Sequence, residues 1–235
     1  MPLTLSAGKK SAADISIIKQ KGSTGMEQEN SICQAAENKS VSPNVLLQLM
    51  QQRRSIRKYQ NRQISKEDLA TILQAGASAP NAGGGQRSIL LAMHSEELCR
   101  KVGIWNAACM NRKNLLGSYV SAEQPSLIDD PSIKSGFYGA PTVVAVFGPS
   151  NFLYSIPDAF CAAENMVLMA QSLGLASCIV ARGEQTFDHP AGKELLESWN
   201  IPEGYVCRVF VLLGYLEGDY PKAKPVKEGR IKIAE

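Results

Sequence analysis

A chain of 235 residues, 44% of them hydrophobic, holds enough apolar material for one sizeable core, and 19 Gly with 12 Pro is ordinary usage, which excludes collagen-like, low-complexity and wholly disordered chains. The formal net charge of +3 is too weak to imply a nucleic-acid partner. No stretch approaches the roughly 18 apolar residues of a membrane span, no apolar leader opens the chain and no CxxC pair occurs, so Cys33, Cys99, Cys109, Cys161, Cys178 and Cys207 are expected to be reduced thiols of a cytoplasmic protein.

In chain order, residues 1–41 are rich in Ser, Lys, Gln, Glu, Asn and Gly, with Ile15, Ile17 and Ile18 the only short apolar cluster in mid-segment. They read as a flexible or loosely docked N-terminal extension, and 42–235 as the folded domain. Ser42-Pro43 opens a helix, Ser as cap and Pro at the first helical position, with Val45, Leu46, Leu49 and Met50 at helical spacing. A second helix starts at Ser65 and places Leu69, Ile72, Leu73, Gly76 and Ala77 on one face, until Ala79-Pro80 ends it. Asn81–Gln86 is a loop by composition. Ser88–Met93 then reads as a strand, Glu96–Leu116 as a helix and Gly117–Tyr138 as a long polar connection. Thr142–Phe147 is a buried strand, Pro157–Leu173 an apolar helix, Ser177–Ala181 a strand, His189–Trp199 a helix and Tyr205–Gly214 a strand. The tail from Tyr215 carries Lys222, Lys224, Lys227, Arg230 and Lys232. Interleaved helices and strands predict one α/β or α+β domain.

Missing motifs narrow the chemistry. His94 and His189 are the only histidines, and neither HExxH nor a Cys/His ligand spacing occurs, so no metal site is expected. No GxSxG elbow is present. Gly83–Gly85 is followed by no GK[ST] and lacks GxGxxG spacing, so it is neither a P-loop nor a dinucleotide fingerprint. Hydrolase and kinase chemistry drop away, and an enzyme of this composition would draw its reactivity from a cofactor.

Three basic or glycine-rich elements remain. From Leu49 to Ile64 there are five cations and no acid, with Arg53, Arg54, Ser55 and Arg57 at the helix end, a set able to make several charge-assisted bonds to one phosphate. The alternative is a solvated basic helix end that complements the dipole. The glycines of the loop let backbone N–H groups approach a flat or anionic ligand, or simply form a turn. The basic tail is either a solubilising terminus or a third anion contact.

Taken in order, these elements resemble one family. Arg53-Arg54-Ser55-Ile56-Arg57-Lys58-Tyr59 resembles the RRSxRxF opening of the nitroreductase flavoproteins. Ile64–Leu69 followed by Ile72–Pro80 is similar to the next helix and "AP" loop, and Phe137-Tyr138-Gly139-Ala140-Pro141 to the "GAP" element. Asp158 through Leu175 resembles the core helix, and Ile201–Tyr205 leading to Tyr215 the last central strand. The resemblance implies an α+β nitroreductase-like FMN-binding fold, with a central, mostly antiparallel sheet flanked by helices and termini swapped in a homodimer that holds FMN at its interface. It implies an FMN-dependent oxidoreductase that carries reducing equivalents from NAD(P)H through flavin N5 to a small acceptor such as a nitroaromatic or quinone. The alternative is a flavin-binding carrier or regulatory module without turnover. No nucleic acid or membrane enters either.

Residue by residue, the resemblance gives Arg53, Arg54 and Ser55 to the FMN phosphate and nearby flavin atoms, and Arg57 to the N1/C2=O edge. Pro80, Gly84 and Gln86 fall in the loop beside the flavin. Ala181, Arg182 and Gly183 match the segment whose backbone faces N5, while Arg230, supported by Lys227, matches a tail cation at the phosphate. No side chain is given a catalytic role, because the flavin carries the chemistry. Two departures stand out: Gly84 replaces the usual Asn, with Asn81 as a candidate substitute, and Arg87-Ser88 replaces Pro-Trp.

Overall fold

The computed structural model describes residues 43–109, 130, 132–223 and 225–235. The chain divides into two units, 1–43 and 44–235, and the fold is that of the second. The expected extension over 1–41 lies outside the described residues, as does most of the connection over 117–138.

Among the described residues the α-helices and strands follow in the order α1 (Pro43–Gln52), α2 (Lys66–Ala77), β1 (Ile89–Met93), α3 (Glu96–Ala108), β2 (Thr142–Pro149), α4 (Ser155–Ser172), β3 (Ala176–Val180), α5 (Pro190–Ser198) and β4 (Tyr205–Gly214). Side chains cap the starts of α2, α3 and α5: the Asp68 N–H donates to Ser65 Oγ at 2.9 Å, Leu98 N–H to Ser95 Oγ at 3.4 Å and Gly192 N–H to His189 Nδ1 at 3.2 Å. Helix α4 begins two residues before Pro157, because a proline in the first turn forfeits no intrahelical bond. Helix α3 stops at Ala108 instead of running to Leu116, and residues 110–116 lie outside the described part. The Cys109 thiol donates to Gln185 O at 3.0 Å and ties that helix end to the loop after β3.

The sheet order is β1-β2-β4-β3 and every neighbouring pair is antiparallel, so the fold is α+β. Alternate side chains enter opposite faces. Val143, Ala145 and Phe147 of β2 join Cys178 and Val180 of β3 and Phe210 and Leu212 of β4 beneath α3 and α5, with Val102, Trp105, Leu195 and Trp199 closing that side. Val144, Val146, Val209, Val211 and Leu213 pack on the other face against Leu69 and Ile72 of α2 and Ala159, Ala163, Met166 and Val167 of α4. After α1 the chain runs beside β3: Ser55 bridges Ser177 in the parallel sense, and Ile56 N–H donates to Ser177 O at 2.9 Å. Burial of Ile56 and Tyr59 anchors this segment, and it brings Arg53, Ser55 and Arg57 to the β3 edge of the sheet.

Candidate functional site

Beside β3, the Arg53 guanidinium makes a long contact to Ser55 Oγ, 3.5 Å, and the Arg57 guanidinium lies 5.7 Å from the centroid of the Tyr138 ring. Burial pushes the Cys178 thiol above its ordinary range, while Arg57, Arg53 and Ser55, which bridges the neighbouring Ser177, draw it back. Arg182 follows the end of β3, the strand that Ser55 bridges at Ser177, by two residues; burial lowers its guanidinium and nearby Tyr138 opposes that shift. Tyr138 and Gly139 both sit in the left-handed region, φ 52° and 78°. For tyrosine that conformation costs about 1–2 kcal/mol, a strain of the kind that collects at binding sites. Tyr59, behind them, donates its hydroxyl to Ile56 O at 2.7 Å, and burial holds it well above the usual tyrosine range.

The glycine-rich loop stands at the other edge, before β1. Ala82–Gly84 forms a short 3₁₀ turn with Gly83 and Gly84 at φ 60° and 62°. The loop is closed on itself: Gln86 N–H donates to Asn81 Oδ1 (2.8 Å), Asn81 Nδ2 to Ala79 O (3.2 Å) and Ala82 N–H to the buried Asp158 carboxylate of α4 (3.0 Å). Arg87 donates to Ala82 O at 3.2 Å and stacks 4.6 Å from the Phe152 ring. Ala79, Pro80, Asn81, Gln86, Asp158 and Ala162 border a cavity of about 130 Å³. From the Ser55 segment across β3, β4 and β2 to β1 is four strand spacings, about 19 Å.

The nitroreductase family model matches residues 50–215. The chain belongs to the nitroreductase family. It is 32% identical to a nitroreductase with bound FMN from Bacteroides fragilis, at a TM-score of 0.68 over 81% of this chain and 98% of that one. A protein named NADH dehydrogenase/NAD(P)H nitroreductase from Archaeoglobus fulgidus is 29% identical over 174 residues, 72% of this chain and 84% of the relative. The nitroreductase with bound FMN from Desulfitobacterium hafniense shares the fold at 23% identity, with a TM-score of 0.64 over 81% of this chain and 98% of that one.

Within this nitroreductase fold, Arg53, Ser55, Arg57 and Arg182 come together, whereas Pro80, Gly84 and Gln86 stand across the sheet. Arg54 turns away: its Nη1 donates to Gln51 O and Arg53 O, both at 2.6 Å, and its Nε to Lys222 O at 3.4 Å, so it caps α1 and holds the tail. The Tyr220 hydroxyl bonds Gln52 O (3.0 Å) and Gln171 Oε1 (2.8 Å), which leads the tail past the end of α1. Lys227 and Arg230 lie beyond, exposed, with no hydrogen bond among the described residues tying them to the arginine cluster. Ala181 is exposed, while Gly183 is pressed against β4. Asn81, the candidate substitute for the missing asparagine, is engaged inside its own loop. The residues missed by sequence reasoning are Tyr138, placed by a turn within the quoted "GAP" element, and Asp158, whose signal was a lone acid opening an apolar helix. Among the described residues no three His, Cys, Asp or Glu side chains gather as a metal site, and no helix is long and apolar enough to cross a membrane.

Proposed function

We propose that this chain is an FMN-dependent oxidoreductase that takes reducing equivalents from NADH or NADPH and passes them to a small acceptor such as a nitroaromatic or quinone. The observation that carries this reading is the gathering of Arg53, Ser55, Arg57 and Arg182 at one sheet edge in a chain of this family. Their donor set fits FMN. Guanidinium groups and a hydroxyl match a phosphate dianion, each charge-assisted bond contributing about 1.5–3 kcal/mol. Arg57 would stand at the pyrimidine edge of the ring, where a cation favours the electron-rich form of a flavin. Bound FMN would supply the hydride and electron chemistry; the chain binds it, orients it and sets the charge around it.

The glycine loop fits a flat ligand for a separate reason. A Cβ built on Gly83 or Gly84 meets no atom within 4 Å, so this backbone faces open space. One chain holds loop and arginines at opposite edges, which supports a homodimer in which each FMN lies between the arginines of one copy and the loop of the other. Exposed apolar side chains support the same assembly: Val45, Leu46, Leu47 and Met50 on α1, Ile156 on α4, and Ile231 and Ile233 on the tail. In that assembly Lys227 and Arg230 extend the phosphate site, and residues 42–235 form the functional domain with 1–41 as an extension.

A visible spectrum of the purified protein tests this directly. Stoichiometric flavin, bleached anaerobically by NADH or NADPH, is the expected result. A protein that is colourless and takes up no added FMN overturns the reading. Flavin bound but reduced by neither nicotinamide marks a carrier instead of an enzyme.

A further inference from the structure

The loop that carries Arg182 is braced from two sides by residues outside the proposed cofactor contacts. On the sheet side, the register of β2 against β4 slips: Val146 pairs with Val209 but Phe147 with Cys207. Arg208 is the extra residue of that bulge, and a bulge re-aims the side chain it carries. The Arg208 side chain is only 8% exposed. Its Nε donates to Ser155 Oγ at 2.9 Å, its Nη2 to Pro149 O and Ser150 O at 3.0 Å each, and its Nη1 to Glu184 Oε1. One guanidinium thus joins the end of β2, the start of α4 and the loop after β3.

On the helix side, Asn106 of α3 is buried, 3% exposed. Its Nδ2 donates to Arg182 O and, at 3.0 Å, to Thr186 Oγ1. The same amide backs the turn that carries Tyr138, since a Cβ on Gly136 would fall 2.0 Å from Asn106 Oδ1. The segment over 181–186 and the Tyr138 turn therefore share one support.

We propose that Glu184, acting through Arg208, and Asn106 are positioning residues that hold the 181–186 segment in register with bound flavin. The assignment rests on the FMN reading above. Glu184 is 53% exposed, and an ion pair so open to water adds little to global stability. Without it Arg208 still has Ser155, Pro149 and Ser150 as acceptors. The pair's effect therefore falls on the loop and not on the core.

The test compares Glu184→Ala with Glu184→Gln, which keeps an acceptor for Arg208. In the apo protein, amide hydrogen exchange at 182–186 is expected to quicken in E184A and to stay near wild type in E184Q. In the FMN-loaded protein, E184A is expected to keep its FMN affinity. Its rate of flavin reduction by NAD(P)H should fall about tenfold or more, the scale of loss that a small misplacement causes, with a shifted flavin midpoint potential. E184Q should restore both. Unchanged reduction and potential in E184A, with or without faster exchange, overturns the proposal while leaving FMN binding intact. A wild-type chain that binds no FMN overturns the cofactor reading and this proposal together.

Discussion

Gly183 lies in the segment matched to flavin N5, and two reasons for a glycine there make different predictions. If the cofactor must come close, alanine harms FMN binding and leaves the apo protein alone. The structure supplies another reason. A Cβ at 183 would stand 2.6 Å from Cys207 O and 2.9 Å from both Cys207 C and Sγ. Two of these obstacles are backbone atoms of β4, next to the bulge, so no rotamer change relieves them. Either the loop lifts or the strand yields. Overpacking of this kind costs about 1–3 kcal/mol. The Gly→Ala gain from a stiffer unfolded chain, about 0.4–1 kcal/mol, offsets part of it. Gly183→Ala is therefore expected to destabilise the apo protein by about 1–2 kcal/mol, a fall of about 2–8 °C in Tm for a chain of this size. Urea denaturation of the flavin-free protein, followed by circular dichroism, measures it. Gly84→Ala is the control: φ is 62° and nothing stands within 4 Å, so its cost is conformational and confined to the loop. A G183A apo protein as stable as wild type would refute the packing argument.

Arg53→Ala is expected to weaken FMN binding by about 1.5–3 kcal/mol, or roughly 10- to 150-fold, by fluorescence titration, and Arg54→Ala by less because Arg54 is engaged with Gln51, Arg53 and Lys222 carbonyls. Alkaline stability follows from two buried thiols. Burial raises Cys99 to about 12 and Cys207 higher still, so their contribution is complete below the unfolded-chain pKa near 9 and is lost as pH climbs toward 12. The free energy of unfolding from urea titrations should decline above about pH 9, and Cys99→Ala should flatten that decline. Cys161 is exposed and should react with a thiol reagent in the native protein while Cys99 and Cys207 react only on unfolding. Finally, a mixture of Arg57→Ala and Gln86→Ala chains refolded together should recover activity that neither homodimer has, because one of the two sites in a hybrid dimer is intact; no recovery would argue against a shared site.

Most of the fold was legible because each element announces itself locally. Ser65 and Ser95 cap the helices they precede, and β4 spans the residues its apolar run predicts. The arginine cluster was legible in part. The basic run over Arg53, Arg54, Ser55 and Arg57 could be read, but not that Ile56 would hang this segment on Ser177 and so choose which cations lie near Cys178. Arg54 looked equivalent in the sequence, yet it follows the last helical residue by two positions and its guanidinium is drawn to the open carbonyls there. That is a helix-end effect, and it separates two neighbouring arginines into different roles.

The bulge at Arg208 shows what kind of signal was available and unread. Tyr205-Val-Cys-Arg-Val-Phe-Val-Leu-Leu-Gly214 contains one charge among apolar residues. Strict period-two alternation would set Arg208 on the face of Phe210 and Leu212, in the core beneath α3 and α5, where an unpaired guanidinium costs several kcal/mol. A strand can keep such a residue only if its alternation breaks, and the break must deliver the charge to acceptors. Cys207 shares a face with Phe210, three positions away, which is possible only with one residue inserted between the two registers. The acceptors lie at the end of β2, the start of α4 and Glu184, all distant in sequence, so the need for a bulge was readable but its partners were not. A lone arginine inside a buried strand is therefore a sequence-level marker of a tie between remote elements, and here that tie ends on the loop beside the proposed flavin.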